Sequence, residues 1–155
     1  MTNVKHQLQD RLAEVVDEQD VAAVLFGIAR AMDQQDWGLV EASYTADAVG
    51  DYQTGPVTGR AAIVEMARGF LTAFDATQHL LGNVEVAVAG DVATTRSTFI
   101  AQHVLNGADG GRRVVMGGNY DDTLTRTAEG WRVSARRIRG IWSDGDFNDL
   151  FGRSE

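Results

Sequence analysis

The chain contains no cysteine, which excludes a disulfide framework and thiolate chemistry and makes an intracellular, cytoplasmic setting the expected one. No apolar run approaches the roughly 18 residues that a membrane helix needs. The segment Met1–Gln7 is polar and lacks an apolar signal core, so neither a membrane partner nor export is expected. Basic residues are scarce: 14 Lys and Arg stand against 22 Asp and Glu, for a net charge of −8. Phosphate binding needs a concentrated basic surface, so no nucleic-acid partner is expected. Seven of the fourteen basic residues do fall between Arg112 and Arg139. They are expected on the solvent side of two strands. Also missing are G-x-S-x-G, H-E-x-x-H, G-x-G-x-x-G and G-x-x-x-x-G-K-[ST].

What remains is 155 residues, 44% of them hydrophobic and 23% charged, the size of a single domain able to bury about 70% of its unfolded surface. Val4, Leu8, Leu12, Val15 and Val16 have helical spacing and predict a short amphipathic helix over 3–16, a lid or packing strut capped by Thr2 or Asn3. After the polar run Asp17-Glu18-Gln19-Asp20, a second helix capped by Asp20 carries Val21, Leu25, Ile28 and Met32 on one stripe. Asp33 falls between Ala29 and Phe26 on that wheel and is expected to face inward. Asp36-Trp37 opens a third short helix through about Tyr44; 47–53 reads as a strand, ahead of Gly55 and the only proline, Pro56. The next helix, 59–74, has Ile63, Phe70, Leu71 and Phe74 on its stripe.

From there the period changes to two. Strands are predicted at about 76–88, 92–105, 112–127 and 130–142, joined by the turns Ala89-Gly90-Asp91, Asn106–Gly111 and Glu129-Gly130. Helices followed by a long meander describe an α+β domain in which a strongly curved antiparallel sheet wraps against helices. Gly82, Gly117 and Gly118 inside strands read as curvature devices. One domain of 1–155 is expected, with an N-terminal helix (1–19), a core (20–142) enclosing a conical pocket, and a C-terminal tail (143–155) that docks through its apolar residues.

Two of the three histidines fall on adjacent strands. His103 shares a face with Ser97, Phe99 and Ala101, the better candidates for the concave side, and His79 shares one with Leu81. Imidazole is the side chain whose unperturbed pKa suits proton exchange near neutral pH. A carboxylate on its other ring nitrogen would fix the tautomer, and Asp33 is the best placed. Tyr52, or Asn119, could donate to a carbonyl or developing enolate oxygen. Asp121 shares the parity of Asn119, and Asp51 alternates with Tyr52, so only one of the latter two points inward unless the strand is bulged. Phe99, Phe26 and Leu81 are expected to contact a substrate. No metal is expected: His79, His103 and Asp33 are suitable ligand types, but no spacing supports a site.

Ala31-Met32-Asp33-Gln34-Gln35-Asp36-Trp37, Tyr44–Val49, Thr77-Gln78-His79-Leu80-Leu81-Gly82-Asn83, Gly90-Asp91-Val92-Ala93 and Tyr120-Asp121-Asp122 leading to Gly130-Trp131-Arg132-Val133 together resemble the SnoaL-like group of the nuclear transport factor 2-like superfamily. Within it the pattern is similar to the scytalone dehydratases, the hexachlorocyclohexane dehydrochlorinases and the bile-acid 7α-dehydratases. The resemblance implies a cone-shaped α+β barrel (cystatin-like) holding an Asp-His dyad that matches Asp33 and His79. It matches His103 to a second pocket histidine and Asp51-Tyr52 to a strand Asp-Tyr pair. Met32 stands where the scytalone dehydratases have a tyrosine.

The expected activity is that of a cofactor-independent lyase or isomerase, dehydratase- or dehydrohalogenase-like, acting on a small apolar cyclic molecule. His79 would be the base, Asp33 its orienting carboxylate, His103 a second acid/base and Tyr52 a carbonyl-polarising donor. Two other readings remain: a ketosteroid-isomerase- or polyketide-cyclase-like enzyme with Asp51 as base, and a non-catalytic ligand-binding or assembly subunit. The resemblance also implies a homodimer or homotrimer.

Overall fold

The computed structural model describes residues 2–52, 55–106 and 111–145; most of the tail 143–155 lies outside them. The first finding corrects the reading of two N-terminal helices. A single α-helix of 33 residues, α1, runs Thr2–Gln34. Asp17-Glu18-Gln19-Asp20 contains neither glycine nor proline, and these polar residues cost little in a helix. Asp17 is moreover held from outside, by a two-pronged ion pair from Arg126 at 2.8 and 2.7 Å. Asp20 therefore caps nothing. Residues 4–16 are not a packed strut either: all are exposed.

Helix α1 stops where Gln35 turns left-handed, at φ 56°, and the Asp36 N–H returns to the Ala31 carbonyl at 2.8 Å, an arrangement that satisfies the last carbonyls. Asp36 then caps α2 (Trp37–Ala42), accepting from the Leu39 N–H at 3.0 Å. Tyr44, read from the sequence as the end of that helix, instead begins β1 (Tyr44–Asp51). A short β2 (Pro56–Thr58) and α3 (Arg60–Leu71) follow. The meander consists of β3 (Ala76–Ala89), β4 (Val92–Leu105), β5 (Arg112–Thr127) and β6 (Gly130–Asp144).

The six strands lie in the order β2-β1-β6-β5-β4-β3. All neighbours are antiparallel except β1 and β6, which run parallel. The sheet is thus mixed, and it is open: β2 and β3 are its edges, so the cone is a curved sheet roofed by helices and not a closed barrel. Register slips occur between Gly82 and Glu85 and between Gly117 and Gly118. At the first slip Asn83 takes φ 48° and the inward parity changes, from Thr77, His79 and Leu81 to Val84, Val86 and Val88. The extra residue lies in β3 at the first slip and is Ile141 of β6 at the second, and each bends the strand that carries it.

The core forms where α1 crosses the concave face. Val21, Leu25 and Ile28 pack with Ile63, Val64, Leu124, Trp131 and Val133, all buried. Beyond Ile28, toward Asp33, the space between α1, α3 and the sheet is left open.

Candidate active site

Asp33 lies on the last turn of α1, above β3. Its Oδ1 is 2.6 Å from His79 Nδ1, and its Oδ2 accepts the His79 backbone N–H at 2.9 Å. The Thr77 hydroxyl donates to Oδ1 at 3.1 Å. A carboxylate oxygen accepts, so Nδ1 is the donor of this pair and Nε2 is the ring nitrogen that Asp33 does not engage. The imidazole is nearly buried, with 6% of its side chain exposed, and the carboxylate is 20% exposed. His79 helps to line a cavity of about 380 Å³ whose walls also include Met32, Ile63, Phe70, Phe99, Met116 and Ile138. These walls are apolar, and the imidazole is set among them.

His103 lies one strand over, its ring 6.0 Å from that of His79 and packed on Phe70 at 5.3 Å and Phe74 at 4.8 Å. Burial, and then the neighbouring His79, push its pKa down to about 4, against a hydrogen bond with the Val114 backbone. At neutral pH His103 is uncharged. It offers a hydrogen bond or an apolar edge, not a positive charge.

A second polar group, absent from the sequence reading, is built into the cavity wall. Asp122 and Arg136 are register partners across β5 and β6, joined by two hydrogen bonds of 2.7 and 3.0 Å and both buried. The guanidinium sits 4.7 Å from the Tyr120 ring centre, and Tyr120 stacks on Phe99 at 4.4 Å. Tyr44 is hydrogen-bonded to Arg136 and to Tyr52. Burial raises the pKa of the Tyr44, Tyr52 and Tyr120 phenols, so all three remain protonated donors. Tyr52 faces inward because its ring lies over Gly50, where a Cβ would come within 2.1 Å of it.

The structure brings Asp33, His79, His103, Tyr52 and Phe99 to one cavity. Asn119 and Asp121 do not join them, because β5 keeps one parity along its length, with Val114, Met116, Tyr120, Asp122 and Leu124 on the concave face and Asn119 and Asp121 on the other. Asp121 instead pairs with Arg96 at 2.9 Å. Asp51 pairs with Arg137 at 3.3 Å and is about half exposed; both acids edge a separate, more open hollow of about 770 Å³. Phe26 is exposed on the far side of α1. Leu81 packs beside Phe99, Ala101 and Tyr120, behind the cavity lining.

The expectation that the Arg112–Arg139 cluster is solvated fails at Arg136. Asp122 and Arg136 lie nearly equidistant from the Glu129-Gly130 turn, within one bulged residue. Counting outward along that hairpin would have paired them. Tyr44 and Tyr120 gave no comparable signal. Among the described residues no group of three or more His, Asp or Glu side chains is placed to hold a metal ion. No described helix is long and apolar enough to cross a membrane.

An open mixed sheet roofed by helices around an apolar cavity defines a cystatin-like α+β domain. The chain belongs to the SnoaL-like domain family, whose model matches residues 13–137, within the nuclear transport factor 2-like group. Uncharacterized protein Rv2910c of Mycobacterium tuberculosis is 32% identical over 127 residues, covering 81% of this chain and 86% of that one. The fold is shared with a provisionally named scytalone dehydratase from Novosphingobium aromaticivorans (TM-score 0.75, 22% identity, 84% of this chain and 87% of that one). It is shared too with a hexachlorocyclohexane dehydrochlorinase, LinA type 2 (TM-score 0.73, 18% identity, 88% of this chain and 90% of that one).

Proposed function

We propose that this protein is a cofactor-independent lyase or isomerase that removes a proton from carbon beside an activating group of a small, largely apolar cyclic molecule. The observation that carries the reading is the 2.6 Å bond from the Asp33 carboxylate to His79 Nδ1, which leaves Nε2 as a base in an apolar cavity. Nε2 takes the proton, and Asp33 stabilises the imidazolium that forms. The electron pair left on carbon moves toward the activating oxygen, where the Tyr52 hydroxyl donates to the developing charge. When the pair returns to form the double bond, a hydroxide or halide on the neighbouring carbon leaves with its own electrons. Hydroxide is neutralised by the proton on His79; halide departs as the anion, and the proton passes to solvent. His103, neutral, supports the ring and substrate by contact and hydrogen bonding. The dehydratase and dehydrochlorinase names among the structural neighbours agree with this chemistry.

The alternative with Asp51 as base requires that carboxylate inside the cavity and Tyr52 outside. The reverse arrangement, with Asp51 engaged by Arg137, favours the His79 reading. A non-catalytic subunit would be expected to have Asp33 and His79 apart or the cavity filled, and neither is the case. The test begins with a panel of cyclic ketones, alcohols and halides incubated in deuterium oxide, read for deuterium uptake or elimination. On a substrate so found, His79→Ala is expected to lower turnover by about 10²- to 10⁴-fold with an unchanged circular dichroism spectrum. Equal turnover by the variant would sink the assignment.

A further inference from the structure

Helix α1 carries two apolar stripes that face different ways. At about 100° per residue, Val21, Leu25 and Ile28 point to one side, and Val4, Leu8, Leu12, Val15 and Val16 lie centred roughly 145° round the helix from them. The first stripe is buried. The second is exposed by 71, 58, 56, 46 and 57% in turn. Because the second stripe turns away from the core side, the chain cannot cover it by continuing its own packing. The Arg126 clamp on Asp17 ties down the helix immediately after this stretch. An isolated helical arm of this length is marginal in water, and this one presents five large apolar side chains to solvent.

The stripe has the spacing of a helix-pairing seam. Positions 8, 12, 15, 19, 22 and 26 alternate steps of four and three, and carry Leu8, Leu12, Val15, Gln19, Ala22 and Phe26; Phe26 is 43% exposed. Such a repeat keeps one face of a helix against a partner helix. Charge selects the partner and its direction. If a second copy lies antiparallel, with Leu12 against Val15 of that copy and the reverse, then Arg11 of each falls beside Glu18 of the other. A parallel pair would set Arg11 beside Val16 and leave both charges without that complement.

We propose that α1 residues 4–23 form an antiparallel two-helix interface with the same segment of a second copy of this chain. Leu8, Leu12 and Val15 fill the seam, and two Arg11–Glu18 pairs flank it. Each helix then buries a face that its own body leaves bare.

Sedimentation over a concentration series is expected to show a species of twice the chain mass. Leu12→Glu, a change at an exposed position of a sound helix, should raise the dissociation constant more than tenfold while leaving thermal unfolding of the body unaltered. Arg11→Glu and Glu18→Arg should each weaken association, and the double reversal should restore it. In this cysteine-free chain, Leu12→Cys with Val15→Cys should oxidise to a cross-link between position 12 of one copy and 15 of the other. A monomer at all concentrations overturns the proposal, as does any oligomer whose mass Leu12→Glu leaves unaltered. Links only between like positions, or a double reversal that fails to restore association, overturn the antiparallel register. None of these readouts uses activity, so they stand or fall apart from the role of His79.

Discussion

Asp33 receives three hydrogen bonds, two of them from the same residue. One oxygen holds the imidazole and the other holds the backbone of the same residue, so His79 can neither flip its ring nor slide along β3 without losing a bond to a charged group. His103 is the opposite case, a ring kept neutral by burial. Its folded pKa, about 4, lies below the roughly 6.5 of an unfolded histidine. Between those values the unfolded chain binds the extra proton and the folded chain does not, so stability rises with pH through that window and is lost as pH falls through it. The contribution is at most about 3 kcal/mol. Urea midpoints at pH 5.0 and 7.5 should therefore differ more for the wild type than for His103→Gln; equal pH dependence would count against it.

At the scale of elements, the curved sheet depends on where its glycines fall, and the two kinds make different predictions. A Cβ on Gly118 would meet the Arg139 carbonyl oxygen at 2.1 Å, backbone that cannot give way, whereas one on Gly82 would meet only the Thr98 hydroxyl at 3.5 Å. Gly118→Ala should cost about 1–3 kcal/mol by overpacking. Gly82→Ala should change stability by less than about 0.5 kcal/mol. Denaturant melts of the two variants check this, and a tolerated Gly118→Ala would refute the close-approach account. What the sequence concealed lies in β5. Alternation along β4 places Phe99, Ala101 and His103 inward because β4 has no slip against β5. β5 keeps one parity too, with Val114, Met116, Tyr120, Asp122 and Leu124 facing the helices, but Gly117 and Gly118 carry no side chain to mark which parity faces in, so Asn119 and Asp121 were read as lining and Tyr120 and Asp122 were not. A buried Arg is also invisible to composition until its partner is found, and Asp122 becomes its partner only through the hairpin register.

On the scale of the whole molecule, the order of helices and strands and the placing of Asp33 toward His79 were legible, because periodicity and turn residues report them locally. The length of α1 was not. A polar run resembles a loop when only the sequence is read, and the clamp that makes it a helix comes from Arg126, 109 residues away. That clamp divides α1 into a part held by the body and an arm. Arg126 joins Asp17 and Asp91 and lies 4.4 Å over the Trp131 ring, pinning the helix to the turns at one end of the sheet, while Val21, Leu25 and Ile28 hold the rest by burial. Amide exchange should follow the same division. In Leu12→Glu, where association through the arm does not contribute, residues 4–16 should exchange freely and residues 21–31 at least about 10³-fold more slowly, as befits a packed core. Adding Arg126→Ala should move the boundary toward Val21 by about one turn and leave the slow segment slow. Uniform protection along all of α1, or a boundary indifferent to Arg126, would mean that the helix is held by something other than this clamp.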